Sequence, residues 1–453
     1  MTTNTQPMYC TALQFDFLRG RKSTSLAPGT RSSLIQALCH TIKLLSTILD
    51  EEGSDAEQTE QEQPNPAATV VMSQSFRDAF ACHLYMLFSV MFFMESEAKV
   101  GSGLKVTTVG GSNRRADNKE GDEIIAMRAT CAQAMLVAAE SMARNRKKLW
   151  KRGVPDESVV ILPCRIAFQM LEGATGVIAR RAASADAALG MIACSVDSGE
   201  SLLGTIVAAL MDLLHSYEHM ATLCAELCSM VSQRQPNGVN RLAVELIREI
   251  GRLDTRGQAS GDTGKASGIR FVAPFISELA ALKPKLVLSN ISHVLPHLNS
   301  EPYSLRSAIV VALGHIVEYI SNTQQPSEAL YPSSVTNEDG VEESETSRNN
   351  QLKTRGALLD ILEARSHDVS SYTRSAVLKV WIGVTQGGAL PLDRVIPVTA
   401  LAIDRLQDKT VVVRKQAMQV SLAHNVYLSL PPFCRSNVRF FSMSLASYCF
   451  IGK

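Results

Sequence analysis

Apolar residues recur along this chain at the three-and-four spacing of a helix face, which predicts an all-helical protein. In the first half, Leu34, Leu38, Ile42 and Leu45 share one face of a helix expected over 33–49. Long helices are expected over 73–98 and 124–150, and another over 155–172 with Asp156 and Glu157 in its first turn, where carboxylates favour the helix dipole. Shorter ones follow near 184–194, 199–216, 218–232 and 238–251. The second half is better patterned. Leu288, Ile291, Leu295 and Leu298 make one stripe, and Leu305, Ile309, Leu313, Ile316 and Ile320 make the next, with Pro302 at the start, where a missing N–H costs nothing. Leu358 and Ile361 lie on one helix and Val377, Val380, Trp381 and Val384 on its partner, and Val395, Val398, Ala402 and Leu406 open a last pair.

A repeated frame overlies these stripes. In DVSSYTRSAVLKVW an Asp, Asp368, opens a turn and Arg374 follows six residues on, at the start of an apolar helix that reaches Trp381. DKTVVVRKQAM repeats it with Asp408 and Arg414, forty residues after Arg374. SEPYSLRSAIV places Arg306 six residues after Ser300. The larger gap from Arg306 to Arg374 holds a polar tract, and without it the spacing returns to roughly forty, within the range of HEAT and armadillo units. Each copy follows an amphipathic helix. The expected fold is therefore an all-α, HEAT/armadillo-type α-solenoid of stacked antiparallel helix pairs with disordered inserted loops. In such a unit the Asp caps the second helix through its free N–H groups, and the Arg reaches the Asp of a neighbouring repeat. Arg306, Asp368, Arg374, Asp408 and Arg414 are thus read as structural.

Between the patterned stretches lie polar tracts. EEGSDAEQTEQEQPNP at 51–66 is nearly free of apolar residues and reads as a disordered linker. Five Gly between Val100 and Gly121 suggest a flexible loop, as do the Gly and Ser of 256–268. The division expected is an N-terminal helix and acidic linker (1–68), a first helical block (69–255), the 256–268 loop, HEAT repeats over 269–420 with a disordered insertion at 323–350, and an atypical tail at 421–453. That tail, with SLPPFCRSNVRFFSMSLASYCFIGK, shows no helical periodicity or polar repeat cap. It reads as the product of a truncated or mis-spliced gene model.

Composition narrows the class. The 453 residues are 45% hydrophobic but only 6% aromatic, which suits interlocking helices better than β-sheets, and the net charge is +1. Bulk charge therefore announces neither nucleic acid nor membrane. The most apolar run, Ala79 to Met94, is about sixteen residues, short of the ~20 needed to span a bilayer, so a buried helix is expected and no membrane partner. The start, MTTNTQPMYC, lacks a secretory pattern, and the ten Cys are scattered singly, so reduced thiols inside a cell are the expectation.

Local chemistry is sparse. RNRKKLWKR at 144–152 places Arg144, Arg146, Lys147, Lys148, Lys151 and Arg152 within nine positions. Such a cluster binds phosphates by releasing counterions, or simply ends a helix favourably. Arg114, Arg115 and Lys119 make a weaker patch. His215, His219, Cys224 and Cys228 invite a zinc reading, as do His293 and His297, but neither HExxH nor CxxC is present. GDTGKASG at 261–268 fails as a phosphate loop, since Lys265 precedes Ala266 and no strand leads in. No metal, cofactor or catalytic group is expected, and the chain reads as a holder of partners rather than an enzyme.

Three segments give that reading a family. FVAPFISELAALKPKLVLSNISHVLPHLNSEPYSLRSAIVVALGHIVEYI (271–320), LLDILEARSHDVSSYTRSAVLKVW (358–381) and ALPLDRVIPVTALAIDRLQDKTVVVRKQAM (389–418) resemble, in order and spacing, the condensin complex subunit 1 family, the HEAT-repeat non-SMC subunits of condensin. ALMDLLHSYEH (209–219), ELIREIG (245–251) and 150–172 look like the middle region of the same family. The resemblance runs from about 120 to 420, is strongest over 270–420, and covers only part of the longer family chains. It implies a regulatory subunit in a hetero-oligomer with two SMC ATPases and a kleisin, on double-stranded DNA or chromatin. It implies a place in the nucleus and on chromosomes, with a cytoplasmic pool, in mitotic chromosome condensation. HEAT adaptors of other kinds (a cohesin-associated or second-type condensin subunit, a nuclear transport or phosphatase scaffold) share the repeats but not the ordered match.

Overall fold

The computed structural model describes residues 30–51, 72–103, 114–150, 155–175, 182–234, 239–253, 263–300, 302–324 and 340–429. These form sixteen α-helices and two short 3-10 segments, with no strand among the described residues. The chain divides into two compact units, 1–213 with 226–242, and 214–225 with 243–453.

In the first unit, α1 (Thr30–Glu51) packs on α2 (Gln74–Gly103) and α3 (Arg114–Arg144), while α3 also packs on α5 (Glu157–Gly173) and α6 (Ala183–Ser195). A four-residue helix, α4 (Arg146–Leu149), follows α3 across a break at Asn145. The buried face of α1 runs through Ile35, Cys39, Ile42 and Leu49. This is rotated from the stripe expected, since Leu34 is 39% exposed. Both stripes have helical spacing, and only the packing partners decide between them. The apolar run at 79–94 belongs to a helix of 30 residues, so its length no longer excludes a membrane span. Indeed α1, α2 and α12 (Tyr303–Gln324) each contain a stretch long and apolar enough to cross a bilayer by length and composition. Within this protein, however, α2 buries Phe80, Leu84, Leu87 and Met91 in a bundle with α1, α3 and α5. Arg128 of α3 also grips the buried Glu95 of α2 through two hydrogen bonds, of 2.8 and 2.7 Å. A carboxylate so placed is tolerated because both its oxygens are matched by a fork of donors. The remaining helices here are α7 (Glu200–Ser216), α8 (Met220–Arg234) and α9 (Arg241–Gly251), whose ends fall in both units.

The second unit is a HEAT-like stack. One layer is the succession α10 (Thr263–Leu282), α12, α14 (Ser371–Gln386) and α16 (Val411–Ser429), each packed on the next. The other layer holds α11 (Pro284–Asn290) with the two 3-10 segments (Ile291–His293 and Leu295–Asn299), then α13 (Gly340–Arg365) and α15 (Leu392–Arg405). The stripe from Leu288 to Leu298 is therefore not one helix. Pro296 lies in the first turn of the second 3-10 segment, where its missing N–H is harmless, and the α-helical ladder stops short of it. Imidazole chemistry closes the gap to α9: His297 is buried, and its Nε2 lies 3.0 Å from the Ile250 carbonyl and 3.2 Å from that of Gly251, at the end of α9. Trp381, fully buried, anchors α14. That helix stops at Gly388, whose φ of 67° lets Ala389 N–H reach Val384 O (2.8 Å) and Gly388 N–H reach Thr385 O (3.1 Å).

Several stretches expected to be loops are helical. Residues 100–103 end α2, 114–121 begin α3, 263–268 begin α10 and 340–350 begin α13. The Arg, Lys and Glu of 114–121 and the Glu and Arg of 340–350 are good helix formers, so polarity was a poor sign of a loop there, whereas the Gly and Ser of 100–103 and 263–268 are helical against their propensity. Likewise 421–429, assigned to the tail, continue α16. The linker at 52–66, the rest of the 323–350 insertion and residues 430–453 lie outside the described residues.

Close layer packing makes one glycine testable. A Cβ on Gly314 of α12 would sit 2.8 Å from Val380 Cγ1 and 3.0 Å from Cγ2. Val380 is buried and β-branched, so it has no spare rotamer. Gly314→Ala should lower stability by about 1–3 kcal/mol. Val380→Ala on that background should recover part of the loss, read from unfolding midpoints of the four chains.

Candidate interaction surface: the Asp and Arg ladder and the basic segment

Consecutive repeats of the second unit are joined by arginine forks. Arg306, on α12, donates from Nε and Nη2 to the two carboxylate oxygens of Asp368 at 3.1 and 3.0 Å. Arg374, on α14, does the same to Asp408 at 2.8 and 2.9 Å. The fork geometry matches a carboxylate with two parallel bonds. Each Asp also bonds the turn that leads into the next helix, and not the helix's own first N–H groups as expected: Asp368 accepts from Ser370 N–H (2.8 Å), just before α14, and Asp408 from Thr410 N–H (3.0 Å), just before α16. Side-chain exposure is 12% and 3% in the first pair and 13% and 3% in the second, so both are largely withdrawn from water.

The spacing of six has its own cause. Nη1 of each Arg donates to the carbonyl six residues before it, on Ser300, Asp368 (2.8 Å) and Asp408 (2.7 Å) respectively. Arg306 and Arg374 thus close their own turns with one nitrogen and reach the following repeat with the other two. Ser300 supplies the carbonyl but no carboxylate. Arg414 bonds the carbonyls of Asp408 and Lys409, and among the described residues it meets no carboxylate.

A second pair escaped the sequence reading. Arg365 and Arg405 stand three residues before Asp368 and Asp408, forty apart, and each points back to the preceding repeat. Arg365 donates to Leu298 O (2.8 Å) and Asn299 Oδ1 (2.9 Å), and Arg405 lies 3.2 Å from His367 Nδ1. Their shared spacing was the available signal. On the same turns, the rings of Tyr303 and Tyr372 stack with centroids 4.9 Å apart, and Val369 is almost fully exposed.

The basic segment lies in the first unit, and most of its described members are occupied. Arg144 is paired with Asp50 at 2.8 Å, Arg146 donates to Asp197 O at 2.6 Å, and Lys148 donates to Leu49 O at 3.1 Å. Lys148 thereby satisfies a carbonyl near the end of α1, and Met72 N–H returns a bond to its own carbonyl at 3.0 Å. Burial works against a charge on Asp50, but hydrogen bonds from Arg144, Ser141 and Asn145 outweigh it and hold the carboxyl below its ordinary range. Bonding to Asp50 raises the Arg144 guanidinium in turn. Lys147 is exposed. Lys151 and Arg152 lie outside the described residues, as do Arg180 and Arg181, and the side chains of Arg114, Arg115 and Lys119 are also outside them. Asp50 was not legible as a partner, because it lies 94 residues from Arg144.

Other singled-out residues are placed as follows. Cys224 and Cys228 are buried, and desolvation drives the Cys228 thiol far above its usual value. The rings of Tyr217 and His219 meet at a tilt of 51° with centroids 5.7 Å apart. Among the described residues no group of three or more His, Cys, Asp or Glu is arranged to hold a metal ion.

The chain is similar to known proteins of one kind. Condensin-1 complex subunit CAP-D2 of Arabidopsis thaliana is 27% identical over 410 residues, 90% of this chain and 26% of that protein. Condensin complex subunit 1 of Mus musculus is 30% identical over 274 residues, 60% of this chain and 18% of that protein. The Homo sapiens protein of the same name is 28% identical over 274 residues. The chain thus spans about a quarter or less of the length of these relatives. No family model matches it.

Two outcomes are expected of the ladder. Arg374→Ala leaves the buried Asp408 carboxylate without its arginine fork, with only Arg405 3.8 Å away, and should cost about 3 kcal/mol. Arg414→Ala, which loses only bonds to carbonyls, should cost about 1 kcal/mol; unfolding midpoints in urea compare them. The Arg374 fork is also the main reason the Asp408 carboxyl sits low, at about 2. Its unfolded value is near 3.9. A depressed carboxylate stabilises fully above that value and loses its contribution as pH falls toward 2. Asp408→Asn should therefore flatten the acid limb of stability between about pH 4 and 2.

Proposed function

From a chain that is a relative of condensin complex subunit 1, we propose that it is a non-catalytic HEAT-repeat subunit of condensin that holds partners on its stacked helices. The observation that carries this reading is the likeness to condensin subunits over 90% of the chain. The buried ladder supports it physically, because it fixes successive repeats in register without using a group suited to bond-breaking chemistry. The partners in this reading are the two SMC ATPases, the kleisin, and the backbone of double-stranded DNA. The process is mitotic chromosome condensation, in the nucleus and on chromosomes.

For DNA, the basic segment at 144–152 is the candidate contact. Its share in the described residues falls on Lys147, since Arg144, Arg146 and Lys148 already serve neighbouring helices. Phosphate contacts give affinity that falls steeply with salt and does not depend on sequence.

Affinity capture of the tagged chain from dividing cells, with mass spectrometry of what is retained, tests the assignment. Recovery of SMC ATPases and a kleisin is the expected result; nucleoporins or a phosphatase in their place would overturn it. For the DNA contact, Lys147→Ala should weaken duplex binding equally for unrelated sequences and reduce the log–log salt slope by about one. An unchanged slope would remove Lys147 from the contact.

A further inference from the structure

Two thiols meet in the core of the first unit. Cys39 of α1 and Cys131 of α3 stand 92 residues apart in sequence with their sulfurs 3.6 Å apart. They are 2% and 0% exposed. Neither Cys39 nor Cys131 is in a disulfide. We infer that Cys39 and Cys131 are an oxidative modification site, closing to a reversible disulfide that ties α1 to α3 when the chain meets a peroxide.

The geometry favours closure. A disulfide needs sulfurs about 2 Å apart, so the pair has to approach by roughly 1.5 Å, within reach of side-chain rotation in two helices already in contact. The environment also divides the roles. The hydrogen bond shared with Cys131 pulls the Cys39 thiol below its usual range, while that bond and burial push Cys131 up. Lys43, one turn along α1, favours the thiolate on Cys39. Cys39 is therefore the attacking sulfur. Its thiolate displaces hydroxide from hydrogen peroxide to give a sulfenic acid. The Cys131 sulfur then attacks that sulfur and expels water, so two thiols and one peroxide yield one disulfide and two waters.

Access comes from local opening. Helix α1 buries one face only, with Leu44 49% and Ile48 41% exposed, and a helix held by one face opens more readily than one enclosed on all sides. Once formed, the bond closes a loop of more than ninety residues and should stabilise the unit by restricting its unfolded state.

The experiment treats the full chain with hydrogen peroxide, alkylates what remains free, and maps cysteines by mass spectrometry without reduction. The expected result is a peptide joining Cys39 to Cys131 and a fall in titratable thiols from ten to eight per chain, restored by dithiothreitol. The unfolding midpoint should rise on oxidation in the unaltered chain and in Cys164→Ser, but not in Cys39→Ser. In Cys131→Ser, dimedone should trap a sulfenic acid on Cys39, which serves even if one variant folds less well. Free alkylation of both thiols, linkage to other cysteines, or oxidation of Cys39 to a sulfinic acid without a link would overturn the proposal.

Discussion

A carboxylate shut away from water between two repeats is the constraint on which the second unit depends. Asp368 and Asp408 are each about nine-tenths buried, and each is made tolerable by two things at once. The backbone N–H two residues on, in the turn that leads into the next helix, satisfies one side, and the arginine fork from the preceding repeat satisfies the other. Neither partner is optional, because a buried charge with half its bonds missing is worse than an apolar core. This couples local and tertiary structure: the residue that bonds the turn into a helix is also the residue that docks it. The apolar layer of α10, α12, α14 and α16 supplies the bulk of the stabilisation, while the ladder decides the register in which that layer is assembled.

The same constraint explains why a long insertion between α12 and α14 does not scramble the stack. Arg306 finds Asp368 across 62 residues, whereas Arg374 finds Asp408 across 34. The pairing is set by the three-dimensional spacing of the repeats and not by the length of chain between them. Loop closure becomes only slowly more costly with length, so the extra residues are cheap in free energy.

What the sequence made legible follows from this. The repeat frame and the bridging Arg could be read because each repeats at a fixed spacing, while the Asp, expected as a cap, bonds the turn before the helix instead. The buried stripes of α12 and α14, Leu305 to Ile320 and Val377 to Val384, were legible for the same reason. The face of α1 was not, since Leu34, Leu38 and Leu45 offered an apolar stripe as good as the buried one through Ile35, Cys39, Ile42 and Leu49. Helix starts at Arg114 and Gly340 were missed because polar straight-chain residues form helices as readily as loops, and the start at Thr263 because its Gly and Ser are helical against their propensity. The basic segment was legible as a cluster, yet its partners Asp50, Asp197 and Leu49 come from distant parts of the chain, which no local pattern announces. Its meaning therefore moved from a free cationic patch toward a junction with one exposed lysine.

In the proposed function, where the protein holds partners on its stacked helices, fixed register is the functional property. A surface built from several helices presents a constant pattern only if neighbouring repeats do not slide. The most direct measurement of that claim is a double-mutant cycle on the second rung: Arg374→Ala, Asp408→Ala and both together, followed by denaturant unfolding. The account predicts a coupling of about 1.5 kcal/mol or more between the two positions. Additive losses, with a coupling below about 0.5 kcal/mol, would contradict it and leave apolar packing alone to set the register.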